Sequence, residues 1–294
     1  MEEKTIIIYA PDFRKTCGGI VVLYYLGYLL DKYFENINTY IFDYNKRMRK
    51  NDIYCKYIKN IANVNKDFIA IYPEITRGNP LNSKHCVRWI LCELGRNISA
   101  DIYKSWNNND LVFHFSSFNG NNNNNKNLFS IIYRNPIFKD LKLKRENTCY
   151  TIRKAKKFYK NINFIHQKNS ILITNQSHNK LLQIFNTCKY FYCYDPYTGL
   201  SDIALLCGCI PILQKIPNVN ELKFLKSRVY TQYENISKIP GYAYGIENLD
   251  YALKTINEGQ QLIIKQDNRN LENLNKFVKD IYDKNCKENV KKYY

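Results

Sequence analysis

The densest chemistry in this 294-residue sequence lies in Tyr194-Asp195-Pro196-Tyr197-Thr198-Gly199-Leu200-Ser201-Asp202. Thr198, Gly199 and Ser201 can offer hydroxyl and amide donors to a phosphate at a helix N-terminus, and Asp195 can accept from sugar or ribose hydroxyls. A second group, Cys17-Gly18-Gly19-Ile20, places Gly18 and Gly19 between a first strand and a helix, where a ligand can approach the backbone. It lacks the third glycine of a dinucleotide fingerprint and the Gly-Lys-Ser/Thr of a P-loop, and a plain tight turn accounts for it equally well. Glu74, in Tyr72-Pro73-Glu74 with Gly78-Asn79-Pro80 beyond it, follows a strand at the end where open α/β sheets bind ligands. It can serve as a base, or pair with Lys84 or Arg88. Arg153 and Lys154 leave another strand as a planar fork and an ammonium, suited to a diphosphate or simply to solvent. His114 sits in an aromatic strand and reads first as a core residue.

These residues need strands and helices to hold them, and the pattern supplies both. Thr5-Ile6-Ile7-Ile8-Tyr9-Ala10 is a continuous apolar run of the kind buried on both faces of a parallel sheet. Helical spacing of Leu23, Leu26, Leu30 and Phe34 predicts a helix over 20–34. Strands follow at 39–42, 67–72 and 110–115, with a helix at 84–94. After the polar tract Asn119–Asn125, strands are expected at 149–152, 171–173, 190–192 and 210–213. Helices are expected at 179–186, 200–207, 248–258 and 269–282. The alternation predicts an α/β chain of parallel sheets, an N-terminal domain over 1–145, a second over 146–265 and a closing helix over 266–294. No internal repeat of fixed period is visible.

Composition narrows the class. Apolar residues at 45% and charged residues at 24% exclude wholesale disorder. The formal charge of +18 attracts polyanions, but it is spread along the chain, as in Lys46-Arg47-Met48-Arg49-Lys50, and reads as solvated surface. A nucleic-acid-binding protein is the alternative drawn from charge and 26 tyrosines, but no basic helix or RNP-like motif supports it. Ten cysteines without a Cys-x-x-Cys pair read as free thiols of a reduced compartment. No apolar run reaches a membrane span, so the expectation is a cytoplasmic chain (host cytoplasm for a viral one) with at most peripheral membrane contact.

Strand, acidic loop, small-residue helix start and glycine turn, running into Ala204-x-x-x-Gly208-x-Ile210-Pro211-Ile212, resemble the donor-binding segment of GT-B glycosyltransferases. Ala10-Pro11 through Gly18-Gly19-Ile20 is similar to their N-terminal loop and helix. Ile71 to Ile75, Gly78-Asn79-Pro80 and Val87-Arg88-Trp89 resemble uncharacterised bacterial and giant-virus members. The resemblance covers most of residues 5–215. It implies two Rossmann-like domains facing each other across a cleft, and sugar transfer from a nucleoside-diphosphate sugar to a carbohydrate or lipid-linked acceptor. A GT-B fold without activity, binding glycans or a partner, is a further alternative. Asp195 stands where the family has its first Glu, and Asp202 lies one residue before the place of the second. Glu74 and Asp195 are then the candidate catalytic carboxylates. Gly18, Gly19, Arg153, Lys154, Tyr194, Thr198, Gly199, Ser201 and Asp202 are the candidate nucleotide-sugar contacts. No Asp-x-Asp occurs, so no metal and no cofactor beyond the donor is expected, and no nucleic-acid partner.

Overall fold

The computed structural model describes residues 4–62, 64, 67–116, 127–153, 155–226, 228–229 and 236–283. The tract Asn119–Asn125 and Lys154 therefore lie outside the described residues. The chain divides into two compact units, Met1–Tyr133 with Arg269–Tyr294, and Arg134–Asn268.

Unit 1 holds strands β1 (Lys4–Ala10), β2 (Ile37–Asp43), β3 (Ile69–Pro73), β4 (His85–Ile90) and β5 (Leu111–His114), with helix α1 (Gly18–Tyr33) between the first two. All pairings are parallel, in the order β2-β1-β3-β4-β5. One face, with Ile6, Ile8, Ile71, Val87, Trp89 and Phe113, packs in one core with α1. The other carries Ile7, Ala70, Tyr72 and Cys86.

Unit 2 holds β6 (Asn147–Thr151), β7 (Ile171–Leu172), α2 (His178–Thr187), β8 (Cys188–Cys193), α3 (Leu200–Leu206), β9 (Ile210–Leu213), α4 (Glu221–Lys226), β10 (Ala243–Tyr244), α5 (Leu249–Lys254) and α6 (Ile256–Asn268). Its sheet is again parallel, in the order β10-β9-β8-β6-β7. Numbered within each unit, both sheets follow the doubly wound order 2-1-3-4-5. Each therefore reverses direction between its first and third strands, where such sheets bind ligands beyond the carboxyl ends.

Three expectations differ from what is seen. Residues 84–94, expected as helix, contain strand β4. Cys86, Arg88 and Ile90 alternate with Val87 and Trp89, and all five are buried, so the two faces fill two different cores. The helix expected over 248–258 is α5 and the start of a longer α6, parted at Thr255. The units also part at 133/134 and 268/269 rather than at 145 and 265. Residues 134–145 lack a periodic pattern but are tied to unit 2 by the Phe138 side chain in its core, Leu141 N–H to Asn186 Oδ1 (2.6 Å) and Arg145 to the Cys207 carbonyl (2.6 Å). The last helix, α7 (Asn270–Tyr282), buries Leu274, Phe277, Val278 and Ile281, at helical spacing, in the core of unit 1.

Candidate functional site

In unit 2 the reversal point lies between β6 and β8. Tyr194 N–H donates to the Thr151 carbonyl at 3.0 Å, so the residues leaving both strands start side by side. Asp195 follows β8 and is 1% exposed. Its carbonyl accepts from Thr198 N–H (3.0 Å) and from the Cys193 thiol (3.0 Å), closing a tight turn ahead of α3. Gly199, which precedes that helix, is exposed and has open space where a Cβ would stand. Arg153 leaves β6 into solvent. The structure thus brings Arg153, Asp195, Thr198 and Gly199 to one edge of the sheet.

Tyr194, Ser201 and Asp202 are placed differently from a ligand-facing reading. The buried Tyr194 hydroxyl accepts from the Ile165 and His166 N–H groups (2.8 and 3.3 Å) and lies 3.0 Å from His166 Nδ1, clamping the loop after β6. His166 stacks on Tyr150 with ring centroids 3.8 Å apart, and burial pushes its imidazole below the ordinary value. Ser201 is fully buried, donating to the Thr198 carbonyl (2.9 Å) and accepting from Arg228 (3.2 Å). Asp202 turns inward from the first turn of α3. It accepts from Arg134 (3.1 Å), from Arg228 and from the Tyr242 hydroxyl (2.5 Å), while Arg134 also pairs with Asp267. Burial disfavours the Asp202 charge, but Arg228 and Arg134 outweigh it and hold the carboxyl below its usual range. Asp267, more buried than neutralised, is pushed up to about 6. An acid with three donors has little left for a ribose, so its evident work is to anchor α3.

In unit 1 the corresponding edge carries Gly18, Gly19 and Glu74. Helix α1 opens at Gly18 with no side-chain cap and no acid in its first turn, and open space lies before Gly18. A Cβ at Gly19 would touch the Leu91 side chain, at 3.6 Å. Leu91 N–H in turn donates to Glu74 Oε2 at 3.1 Å, so Gly19, Leu91 and Glu74 form one cluster beyond β1, β3 and β4. Glu74 is 4% exposed, and its carboxyl is pushed up to about 7 by burial, against the pull of N–H donors. Neither expected partner reaches it: Lys84 pairs with Asp67 (2.9 Å) and Arg88 with Asp110 (2.7 Å).

His114 is buried in the core and pushed down to about 4 by that burial. The four basic residues of the run 46–50 are exposed, as expected, and Arg47 and Arg49 lie 3.6 and 3.2 Å from the buried Asp12 in the loop after β1. Asp12, His166, Arg134, Arg228 and Tyr242 carry no local sequence signal. Each stands in a polar or aromatic stretch, and its importance comes from partners remote in sequence. The nine cysteines among the described residues are free thiols. Among the described residues, no group of three or more His, Cys, Asp or Glu is arranged to hold a metal ion, and no helix is long and apolar enough to cross a membrane.

No protein-family model matches the chain, and no curated protein matches it in sequence. Among solved structures it is similar to the β-glucosyltransferase of T4 phage, described with its substrate binding and proposed catalytic mechanism. The TM-score is 0.50 at 10% identity, over 95% of this chain and 99% of that one. At this identity the likeness is one of fold: two parallel five-stranded sheets in a chain of the GT-B type.

Proposed function

We propose that the chain is a glycosyltransferase that moves a sugar from a nucleoside-diphosphate sugar to a carbohydrate or lipid-linked acceptor. The observation that carries the reading is the match between its two sheets. Each has the same strand order, and each sets a buried carboxylate within two residues of the end of its third strand, Glu74 in one and Asp195 in the other. Similarity to a glucosyltransferase fold over nearly the whole chain supports it.

In this reading unit 2 takes the donor. Arg153 and Lys154 neutralise the diphosphate, and the Thr198–Gly199 turn offers its hydroxyl and backbone, with open space at Gly199 for close approach. Asp195 orients sugar or ribose hydroxyls. Tyr194, Ser201 and Asp202 hold that turn in place from behind rather than touching the donor. Unit 1 takes the acceptor, with Gly18 and Gly19 allowing backbone approach. Glu74, poised near neutrality, accepts the acceptor's hydroxyl proton as its oxygen bonds to the anomeric carbon. The bond from that carbon to the diphosphate breaks, and the nucleoside diphosphate leaves with the electron pair. Side-chain cations and backbone amides can supply the neutralising charge, so the reading needs no metal ion.

Binding tests the donor half directly. UDP-, GDP- and dTDP-sugars are each added to the full chain and the melting temperature is followed. At least one raises it in the wild type, and Arg153→Ala removes most of that rise without lowering the melting temperature of the free protein. A chain whose melting temperature responds to none of the three overturns the reading.

A further inference from the structure

The residues leaving β1 and β2, 11–17 and 43–52, carry six lysines and arginines against three aspartates, a net charge of +3. Three of the six are arginines gathered on one carboxylate. Asp12 is 3% exposed, Arg49 Nε stands 3.2 Å and Arg47 Nη1 3.6 Å from its Oδ2, and Arg14 is near enough to act on its charge. The Asn45 amide, which donates to Oδ1 at 2.6 Å, and then these arginines hold the carboxyl below its usual range against burial. One carboxylate cannot neutralise three guanidiniums, nor does it use their donors. Among the described residues no hydrogen bond reaches Asp12 Oδ2, and none leaves the side chains of Arg14, Arg47 or Arg49. Those donors face solvent: the Arg47 and Arg49 side chains are 61% and 53% exposed, and Arg14 is exposed.

The loop after β2 is built to hold them. Asp43, buried at the end of that strand, accepts from the N–H groups of Asn45, Arg47 and Met48 at 2.9, 3.0 and 2.7 Å. Lys46 and Met48, on either side of Arg47, both take left-handed backbone, with φ of 56° and 43°. Glycine adopts that region freely and these residues do not. A merely solvated run of charge needs neither the internal carboxylate nor the strain, whereas strain held by surrounding bonds gathers at ligand sites.

The charge and the forks say which anion fits. A phosphate monoester carries about two negative charges at neutral pH and three terminal oxygens, one for each guanidinium. A carboxylate or a phosphate diester brings a single charge and two free oxygens, and leaves one fork idle. We propose that Arg14, Arg47 and Arg49 bind a phosphate monoester at the carboxyl edge of the first sheet. The site lies wholly within unit 1 and needs no nucleotide, so it goes beyond the transfer reading.

Calorimetric titration of the full chain at fixed ionic strength, with D-glucose 6-phosphate as the monoester, tests it. Dimethyl phosphate, acetate and D-glucose are the controls. Sedimentation with phosphatidylcholine vesicles containing either phosphatidic acid, a monoester, or phosphatidylglycerol, a diester, asks whether the ester belongs to a lipid headgroup. Saturable binding of D-glucose 6-phosphate assigns it to a soluble molecule, and selective retention on phosphatidic acid alone assigns it to a headgroup. Arg47→Gln with Arg49→Gln is expected to weaken the binding by roughly tenfold or more, the loss of at least one charge-assisted bond. Arg14→Gln, which leaves both close neighbours of Asp12 in place, weakens it as well, so the proposal does not depend on the double variant folding. Arg153→Ala leaves it unchanged. Binding of neither monoester, equal binding of dimethyl phosphate or phosphatidylglycerol, binding that Arg14→Gln leaves unaltered, or binding lost in Arg153→Ala overturns the proposal. The melting-temperature response of Arg14→Gln to nucleotide sugars is followed in parallel and matches the wild type, so failure of one reading is distinguishable from failure of the other.

Discussion

Burial acts on Glu74 and His114 in opposite directions. Glu74 keeps its proton up to about pH 7 against an ordinary 4.5, so the folded chain binds that proton more tightly than the unfolded one. Its contribution to stability grows as pH falls from about 7 towards 4.5. His114 loses its proton down to about 4 against an ordinary 6.5, so the unfolded chain takes the proton first and folding weakens as pH falls from 6.5 towards 4. Each gap is worth about 3 kcal/mol, and the two offset each other between 4.5 and 6.5. Glu74→Gln removes one arm. Denaturant titrations at several pH values are expected to show the variant more stable than wild type above pH 7, losing about 3 kcal/mol on acidification where wild type stays nearly level. Parallel curves for the two proteins would contradict the burial argument. If Glu74 is the base, the wild-type transfer rate rises with pH and levels off above about 7. Its place after a strand was legible in the sequence. Its raised pKa was not, because the burial is set by elements such as Leu91, distant along the chain.

At the scale of elements, the segment β8–α3–β9 was the most readable part of the chain. Apolar runs parted by Gly199 and Gly208 give strand, helix and strand to within two residues at each end. Strand β4 was not readable as such, since a central Arg88 disguises a run buried on both faces. The orientation of α3 was also hidden. The Asp202 donors lie 26, 40 and 68 positions away, beyond any local pattern. Arg228→Met leaves the buried Asp202 short of a counter-charge, and is expected to destabilise unit 2 by about 3–5 kcal/mol in urea unfolding. A loss within error of zero would mean that the network does not hold the helix. Helix α6 gives a second test. Alanine in place of a mid-helix glycine ordinarily adds about 1 kcal/mol of helix stability. A Cβ on Gly259, however, would stand 2.3 Å from the Pro240 carbonyl oxygen. Gly259→Ala is therefore expected to lower the melting temperature, and an increase would show that α6 does not approach the 240–241 turn so closely.

For the whole molecule, parallel α/β architecture followed from the alternation of apolar runs. Two Rossmann-like domains were expected as well, but the strand order that their sheets share was not legible, because matching order leaves no repeat in side chains. The return of α7 to unit 1 was likewise invisible, although its amphipathic spacing showed that it must cover some core. The +18 charge spreads over a chain whose basic residues include Arg88, Arg134 and Arg228, all spent on buried carboxylates. That use favours basic groups employed one by one over a continuous polyanion track. Asp195, after the third strand of the second sheet, carries the central claim that the chain turns over a sugar nucleotide. The most direct measurement is release of nucleoside diphosphate from a panel of UDP-, GDP- and dTDP-sugars by wild type and by Asp195→Ala. The account predicts release from at least one donor by the wild type, reduced by roughly a hundredfold or more in the variant while its far-UV spectrum and melting temperature stay the same. Release from no donor, or equal rates from the two proteins, would contradict it.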